Sequence, residues 1–387
     1  MKNAIYVIDP GMMEAGGHHA ALIETLVDSN LNKVRLSLIA HKNLDSGLAK
    51  KAEMAGILVK RHFECNFYQH YDDSLQLKFS GLHFYIRELA WEYIQALKQI
   101  AELSGRNKAI CFYPCLNWEH ASALSLSLSK LEGEINNLVH KICCMFKPNQ
   151  INNEIRLLYS HAFRQLKKLP AVHLYASDWE TKEFYTSIGV VIEGYHPCYL
   201  LPWNTISLIP KPSSSEEPHF LLYLGDAKED KGFKELPILV QRFIKEYHGR
   251  VKLSIQYTMA WGSPALIEVE KELRILSNQF SQLNVYPIFW NTSELVSMIK
   301  SVTAIICTYD TKVYQTKSSG LAWLSSYLKT PVVIKNECWL SREIKRLGYL
   351  SFISKSLVVN SKFTNIKFKE TSYGSSIYRD FTAWLKS

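Results

Sequence analysis

Three short stretches carry residue types that act on an anion or a proton. The first is Lys317-Ser318-Ser319-Gly320, which lies inside the polar run 309–321. A lysine ahead of two serines and a glycine at a helix start brings together a full positive charge, free backbone N–H groups and the helix dipole. The glycine lets a ligand approach the backbone, and Tyr314 stands three residues before the lysine. The plainer reading is a serine N-cap. The second stretch runs from Gly225 to Gly232 and places Lys228 and Lys231 where both would reach a phosphate. For Lys228 a solvated charge run is the better reading. The third is Gly16-Gly17-His18-His19, two glycines that permit close approach and two histidines suited to proton transfer. A pair of surface capping histidines is the alternative. Glu119 and His120 are further acid–base candidates.

These residues need elements to position them. Buried apolar runs at 5–8, 110–113, 219–224 and 304–307 each precede one of the polar stretches. Helical patterns follow, through Leu22, Ile23 and Leu26, over 233–247, and through Leu321, Leu324 and Leu328. Loops at the carboxyl ends of parallel strands are where open α/β sheets bind ligands. Further strands are expected at 34–40, 57–60, 142–146, 172–176, 251–257, 284–289 and 331–334, with helices at 264–280 and 292–301. The first loop lacks the G-x-G-x-x-G spacing, so no nicotinamide cofactor is expected, and no other cofactor or metal motif stands out. Residues 63–84 read as an aromatic insertion at the mouth of the sheet. The amphipathic pattern over 83–103 would suit a membrane surface, but core packing is its expected job.

With 387 residues the chain is long for one core, and two domains are expected. The segment 202–218 is rich in Pro and Ser, and strand–helix alternation restarts after it. The expected division is 1–205, a linker at 206–218, a second domain at 219–373, and a helix at 374–387 that crosses back to the first domain. The net charge of +9 is uneven: residues 1–205 hold 21 Lys+Arg against 20 Asp+Glu, and the remainder 24 against 16. The excess in the second half suits an anionic ligand. The eight cysteines do not fall at metal spacings and suit a reducing compartment. No apolar run is long enough to span a bilayer, and residues 1–9 lack a signal-peptide layout. The expectation is a cytoplasmic protein, in contact at most with the inner face of the membrane. No nucleic-acid signature is seen.

Four pieces taken together resemble a known family. Leu221–Gly225 with Asp230-Lys231-Gly232-Phe233, residues 291–306, residues 309–333, and Gly16-Gly17-His18-His19 resemble glycosyltransferases of the GT-B fold, in the broad family-4-like, group 1 type. The resemblance implies an α/β protein with two Rossmann-like parallel-sheet domains facing a central cleft. It implies that Lys231 contacts a donor diphosphate. Lys317 and Ser318-Ser319-Gly320 would cradle donor phosphate or sugar beside Tyr314, and Gly16-Gly17 would face the donor. The partners implied are a nucleotide-sugar donor and a glycan or lipid-linked acceptor, as in polysaccharide biosynthesis, with no metal required. Base candidates are His18, His19 and His120, in that order. The chain departs from the family in two places: Asp226 and Ala227 stand where an arginine is usual, and Thr316 and Leu324 occupy the spacings of a glutamate pair. A catalytically inactive GT-B protein that binds a glycan or partner is therefore one alternative, and a nucleotide-sugar epimerase of the same fold is another.

Overall fold

Runs of Val, Ile, Leu and Cys with few polar interruptions form strands that are buried on both faces, the signature of a parallel sheet between helical layers. The computed structural model describes residues 4–13, 17–28, 34–65, 79–145, 147–148, 151–200, 203–210, 217–259, 262–349, 351–358 and 369–387. The chain divides into two units, residues 1–202 with 376–387, and residues 203–375.

In the first unit the strands are β1 (Ala4–Asp9), β2 (Arg35–His41), β3 (Leu58–Phe63), β4 (Ala109–Tyr113), β5 (Leu138–Cys144), β6 (Val172–Ala176) and β7 (Gly194–Tyr195). They form one parallel sheet in the order β3-β2-β1-β4-β5-β6-β7. Successive residues of β1 serve opposite faces, as a strand requires. Tyr6 and Ile8 pack with α3 (Phe79–Ser104), α4 (Trp118–Lys130), α5 (Asn153–Lys167) and α6 (Trp179–Ser187). Ile5 and Val7 pack with α1 (Gly17–Asp28), α2 (Ser46–Met54) and residues of the carboxyl-terminal segment.

In the second unit the strands are β8 (His219–Tyr223), β9 (Lys252–Gln256), β10 (Leu283–Tyr286), β11 (Ala304–Cys307), β12 (Val332–Ile334) and β13 (Ser351–Ile353), in the order β10-β9-β8-β11-β12-β13 and parallel throughout. The unit opens with the short α7 (Trp203–Ser207). Then come α8 (Leu236–Glu246), α9 (Pro264–Gln279), α10 (Thr292–Ser301), α11 (Leu321–Leu328) and α12 (Trp339–Arg346). Phe220 and Leu222 of β8 pack with the apolar side of α8 and α9.

The structure adds β7, β13 and α12 to the expected elements and differs from the expectation in further details. The helix expected over 233–247 begins as a 3-10 turn, Phe233–Glu235, because Gly232 enters it at a φ of 75°. The single helix expected over 374–387 is two short ones, α13 (Ser372–Ile377) and α14 (Phe381–Lys386). Asp380 breaks the run by capping α14, accepting the Ala383 N–H at 2.6 Å. Strand β5 starts four residues before the expected run, because His140 and Lys141 are polar yet buried. Residues 211–216 of the expected linker and 66–78 of the aromatic insertion lie outside the described residues, as do Gly16 and Phe146.

Candidate functional site

In each sheet the strand order reverses direction once. In the second unit β8 lies between β9 and β11, so the loops after β8 and β11 part at that point. In the first unit β1 and β4 flank the reversal. Such a point leaves a crevice beyond the strand carboxyl ends, lined by backbone and open to a ligand.

The β8 and β11 loops hold the candidate lysines and are bonded to each other. Thr308 Oγ1 donates to the Lys231 carbonyl at 2.7 Å, and the Asp310 N–H donates to the Asp230 carbonyl at 2.8 Å. Lys317 Nζ lies 2.7 Å from Asp230 Oδ2 and 5.1 Å from the centre of the Tyr314 ring. Tyr314 stacks obliquely on Tyr309 with ring centres 4.3 Å apart, and Tyr309 Oη lies 3.3 Å from Ser319 Oγ. One continuous set of contacts therefore joins Asp230, Lys317, Tyr314, Tyr309 and Ser319.

Lys231 differs from Lys317. Its ammonium lies over Gly225, where an added Cβ would come within 3.0 Å of Nζ, and Gly225 has a φ of 105°. No hydrogen-bond or ion-pair partner reaches this ammonium among the described residues. Burial pushes its pKa below the ordinary lysine value; Asp226 and Asp230 pull it up, and Lys228 and Lys317 push it down. An anion brought beside a half-buried cation that lacks a direct counter-ion would favour its charged form. Lys228 is tied by its backbone, its N–H donating to Tyr223 Oη at 3.1 Å. Asp226 accepts the Thr258 hydroxyl.

The helix begins at Leu321, so Ser318, Ser319 and Gly320 precede it rather than open it, and the plainer reading of a serine cap does not hold. Gly320, not a serine, is the N-cap of α11, and no side chain caps it closely. Ser319 Oγ is 3.4 Å from the Leu321 N–H, and Ser318, Ser319 and Gly320 are all partly exposed. The serine hydroxyls are thus only weakly engaged by the helix. Asp230 is the ion-pair partner of Lys317, with its side chain 26 % exposed.

In the first unit, the β1 loop holds a residue not singled out in the sequence. Asp9, the last residue of β1, is 3 % exposed. It accepts the Gly11 N–H at 2.9 Å through Oδ1, and Oδ2 lies 3.5 Å from His19 Nε2. Burial raises its pKa to about 6, against the opposing pull of His18. Burial, and then His19, lower the pKa of His18 to about 4. The two imidazole rings are 4.1 Å apart. A carboxyl whose pKa is raised toward neutrality, beside two histidines, has the chemistry of a proton-exchange group. The signal that would have found it is an aspartate ending a fully apolar strand. Gly17 begins α1. His120 is in the first turn of α4, buried, with Nε2 3.1 Å from Tyr85 Oη and a pKa lowered to about 4 by burial. That is the setting of a core histidine. An open groove of about 990 Å³ lined in part by Phe84, Trp91 and Leu126 contains none of the predicted site residues.

No family model matches the chain, and no curated protein matches it closely enough to count as a relative. Solved structures do. A glycosyltransferase from Rickettsia africae is 12 % identical, with a TM-score of 0.60 over 92 % of this chain and 86 % of that one. The chain has the GT-B fold. Anabaena HepE, in complex with UDP and glucose, matches with a TM-score of 0.54 at 9 % identity, over 90 % of this chain and 85 % of that one. A putative UDP-N-acetylglucosamine 2-epimerase from Listeria monocytogenes matches with a TM-score of 0.54 at 10 % identity, over 92 % and 86 %. GT-B architecture thus accounts for the two parallel-sheet units, and the chemistry must be argued from the loops.

Proposed function

We propose that this GT-B protein is a glycosyltransferase that moves a sugar from a nucleotide-diphosphate donor to a glycan or other cell-surface acceptor. The observation that carries the reading is the Lys231 ammonium, half-buried over Gly225 at the β8/β11 switch point and without a direct anionic partner. Cleavage of the sugar–diphosphate bond leaves negative charge on the departing phosphate oxygen. Lys231 and Lys317 would stabilise that charge, helped by the N–H groups at the start of α11, and Ser318 and Ser319 would supply hydroxyls to phosphate or sugar. Tyr314 would hold Lys317 in place from below. In the first unit, His19 would take the acceptor proton, with Asp9 beside it and His18 as the second candidate.

The fold is shared with an epimerase, so a second reading is a nucleotide-sugar epimerase. The two separate by product. Incubation with donor alone converts the sugar in the epimerase reading, whereas the transferase releases nucleoside diphosphate at speed only when acceptor is added.

A thermal-shift panel of nucleoside diphosphates and nucleotide sugars is the first test, because a ligand that binds only the folded state raises its melting temperature. Stabilisation by at least one of them, abolished in Lys231→Met, is expected. A panel with no response at millimolar ligand would sink the donor site.

A further inference from the structure

Asp230 occupies a curious place for an acid. It lies between Glu229 and Lys231 in the loop proposed to hold an anion, and its carboxylate is 2.7 Å from the ammonium of Lys317, ten residues after β11. Its own backbone is fixed, since its carbonyl accepts the Asp310 N–H. The next two residues are fixed as well. The Lys231 carbonyl takes the Thr308 hydroxyl, and Gly232 lies flush against the Thr308 backbone. Asp230 is therefore a rigid acceptor, whereas Lys317 is a long side chain on a partly exposed loop with many rotamers to lose.

We propose that Asp230 is a positioning residue that stands in for the ligand's negative charge. In the empty site it holds the Lys317 ammonium beside Lys231, and it gives Lys317 up when a diphosphate arrives. This rests on the proposed donor site. The charges at the two loops support an exchange of partners. Lys228, Lys231 and Lys317 face Asp226 and Asp230, and all four of the others act electrostatically on Lys231. A diphosphate entering beside Lys231 meets the Asp230 carboxylate as a like charge, and Lys317 as a cation already engaged. Binding thus has to break one ion pair to make another. The pair keeps Lys317 aimed at the site and weakens the hold on the diphosphate product, which favours its release.

A purely structural staple between loops predicts something else. Removing its charge would then loosen the site and weaken binding. The experiment uses the full chain, with inorganic pyrophosphate and UDP as probes in titration calorimetry. Asp230→Asn keeps the shape of the side chain and removes its charge. It should bind both probes about two- to five-fold tighter than wild type, the range expected for freeing one exposed ion pair. With a donor and acceptor in hand, KM for the donor and kcat should fall together. Lys317→Met should bind more weakly than wild type, and adding Asp230→Asn to it should change the affinity by less than it does in the wild-type background. Melting curves of all variants identify any that fail to fold, and Asp230→Ser then replaces Asp230→Asn. Wild type that binds a probe, with Asp230→Asn equal or weaker, overturns the exchange and leaves the donor site standing. Wild type that binds neither probe overturns both.

Discussion

The α-carbon of Gly232 rests on the carbonyl of Thr308. A Cβ added to the glycine would lie 2.1 Å from that oxygen and 2.8 Å from its carbon, and the glycine holds a φ of 75°. No side chain fits there without parting the β8 and β11 loops. Gly232→Ala should destabilise the second unit by on the order of 2–4 kcal/mol and abolish diphosphate binding. Gly133, at a φ of 86° with nothing within 4 Å of its added Cβ, is the control: Gly133→Ala carries the backbone strain alone, about 1 kcal/mol. Urea titration of both variants checks the contrast, and equal losses would mean that the Thr308 contact is slack.

Lys231→Met should leave the melting temperature unchanged or raise it, because the wild-type ammonium is desolvated without an ion-pair partner. Affinity for a nucleoside diphosphate should fall by about 1.5–3 kcal/mol, the usual worth of a charge-assisted contact. A variant that melts earlier and binds normally would place Lys231 in the scaffold.

Lys317→Ala removes a side chain 43 % exposed and tied to the fold through Asp230 and the Tyr314 face. Stability should change by less than about 1 kcal/mol, as for exposed ion pairs. Diphosphate affinity or turnover should fall measurably in calorimetry or steady-state assays. Binding equal to wild type would take Lys317 out of the site.

Turnover should survive exhaustive chelation and desalting. The three aspartates of the proposed donor loops each have another partner. Asp226 accepts from Thr258, Asp230 pairs with Lys317, and Asp310 accepts the Lys312 N–H at 2.8 Å. Hard cations need several oxygen ligands converging, and no cluster of three His, Cys, Asp or Glu suited to a metal occurs among the described residues. Activity lost with chelator and restored by magnesium or manganese would reassign the leaving-group stabilisation.

The first unit should lose stability in mild acid. His18, His120 and His196 have pKa values lowered to about 4, and His140 to about 3, from 6.5, with burial the first cause in each. Between pH 6.5 and about 4 the unfolded chain therefore binds more protons at these four sites, and stability falls with pH. Asp9 opposes this: raised from 3.8 to about 6, it holds its proton in the folded state and favours folding as pH falls through about 6 to 4. Four groups against one, each on the order of 3 kcal/mol over its full window, leave a net loss. Calorimetric melting at pH 7.5 and pH 5 checks it, and His120→Gln should flatten the slope. A melting temperature that does not drop at pH 5 would contradict neutral burial of these histidines.

Much of the fold was legible because buried parallel strands have few polar residues. The runs 172–176 and 304–307 coincide with β6 and β11. Strand β5 was cut short in the reading because His140 and Lys141 look like strand breakers. Both are satisfied from afar, His140 by Tyr113 Oη at 3.1 Å and Lys141 by the Trp384 carbonyl at 2.8 Å, and no local pattern announces such partners. The loop lysines were visible as residue types in anion-binding surroundings. Their pairing was not, since Asp230 and Lys317 are 87 residues apart and meet only through the strand order. Asp9 was missed because an aspartate beside Pro10 and Gly11 reads as turn chemistry.

Residues 376–387 belong to the first unit, although 203–375 intervene. Phe381, Trp384 and Leu385 complete the apolar layer that includes Phe112, Cys143 and Tyr199. The buried ammonium of Lys141 bonds to the Trp384 carbonyl and lies over its ring at 5.1 Å. During synthesis the ribosome must therefore deliver the whole second unit before the first can be finished. At about 5–20 residues per second that leaves roughly ten to thirty seconds in which part of one sheet face is uncovered and a lysine faces apolar neighbours without its carbonyl. Transiently exposed apolar surface of this kind is what chaperones bind. The docking of α14 must wait until the second unit has been made, so a ribosome stalled inside the second unit should expose a protease-sensitive first unit that a chain carrying α14 does not.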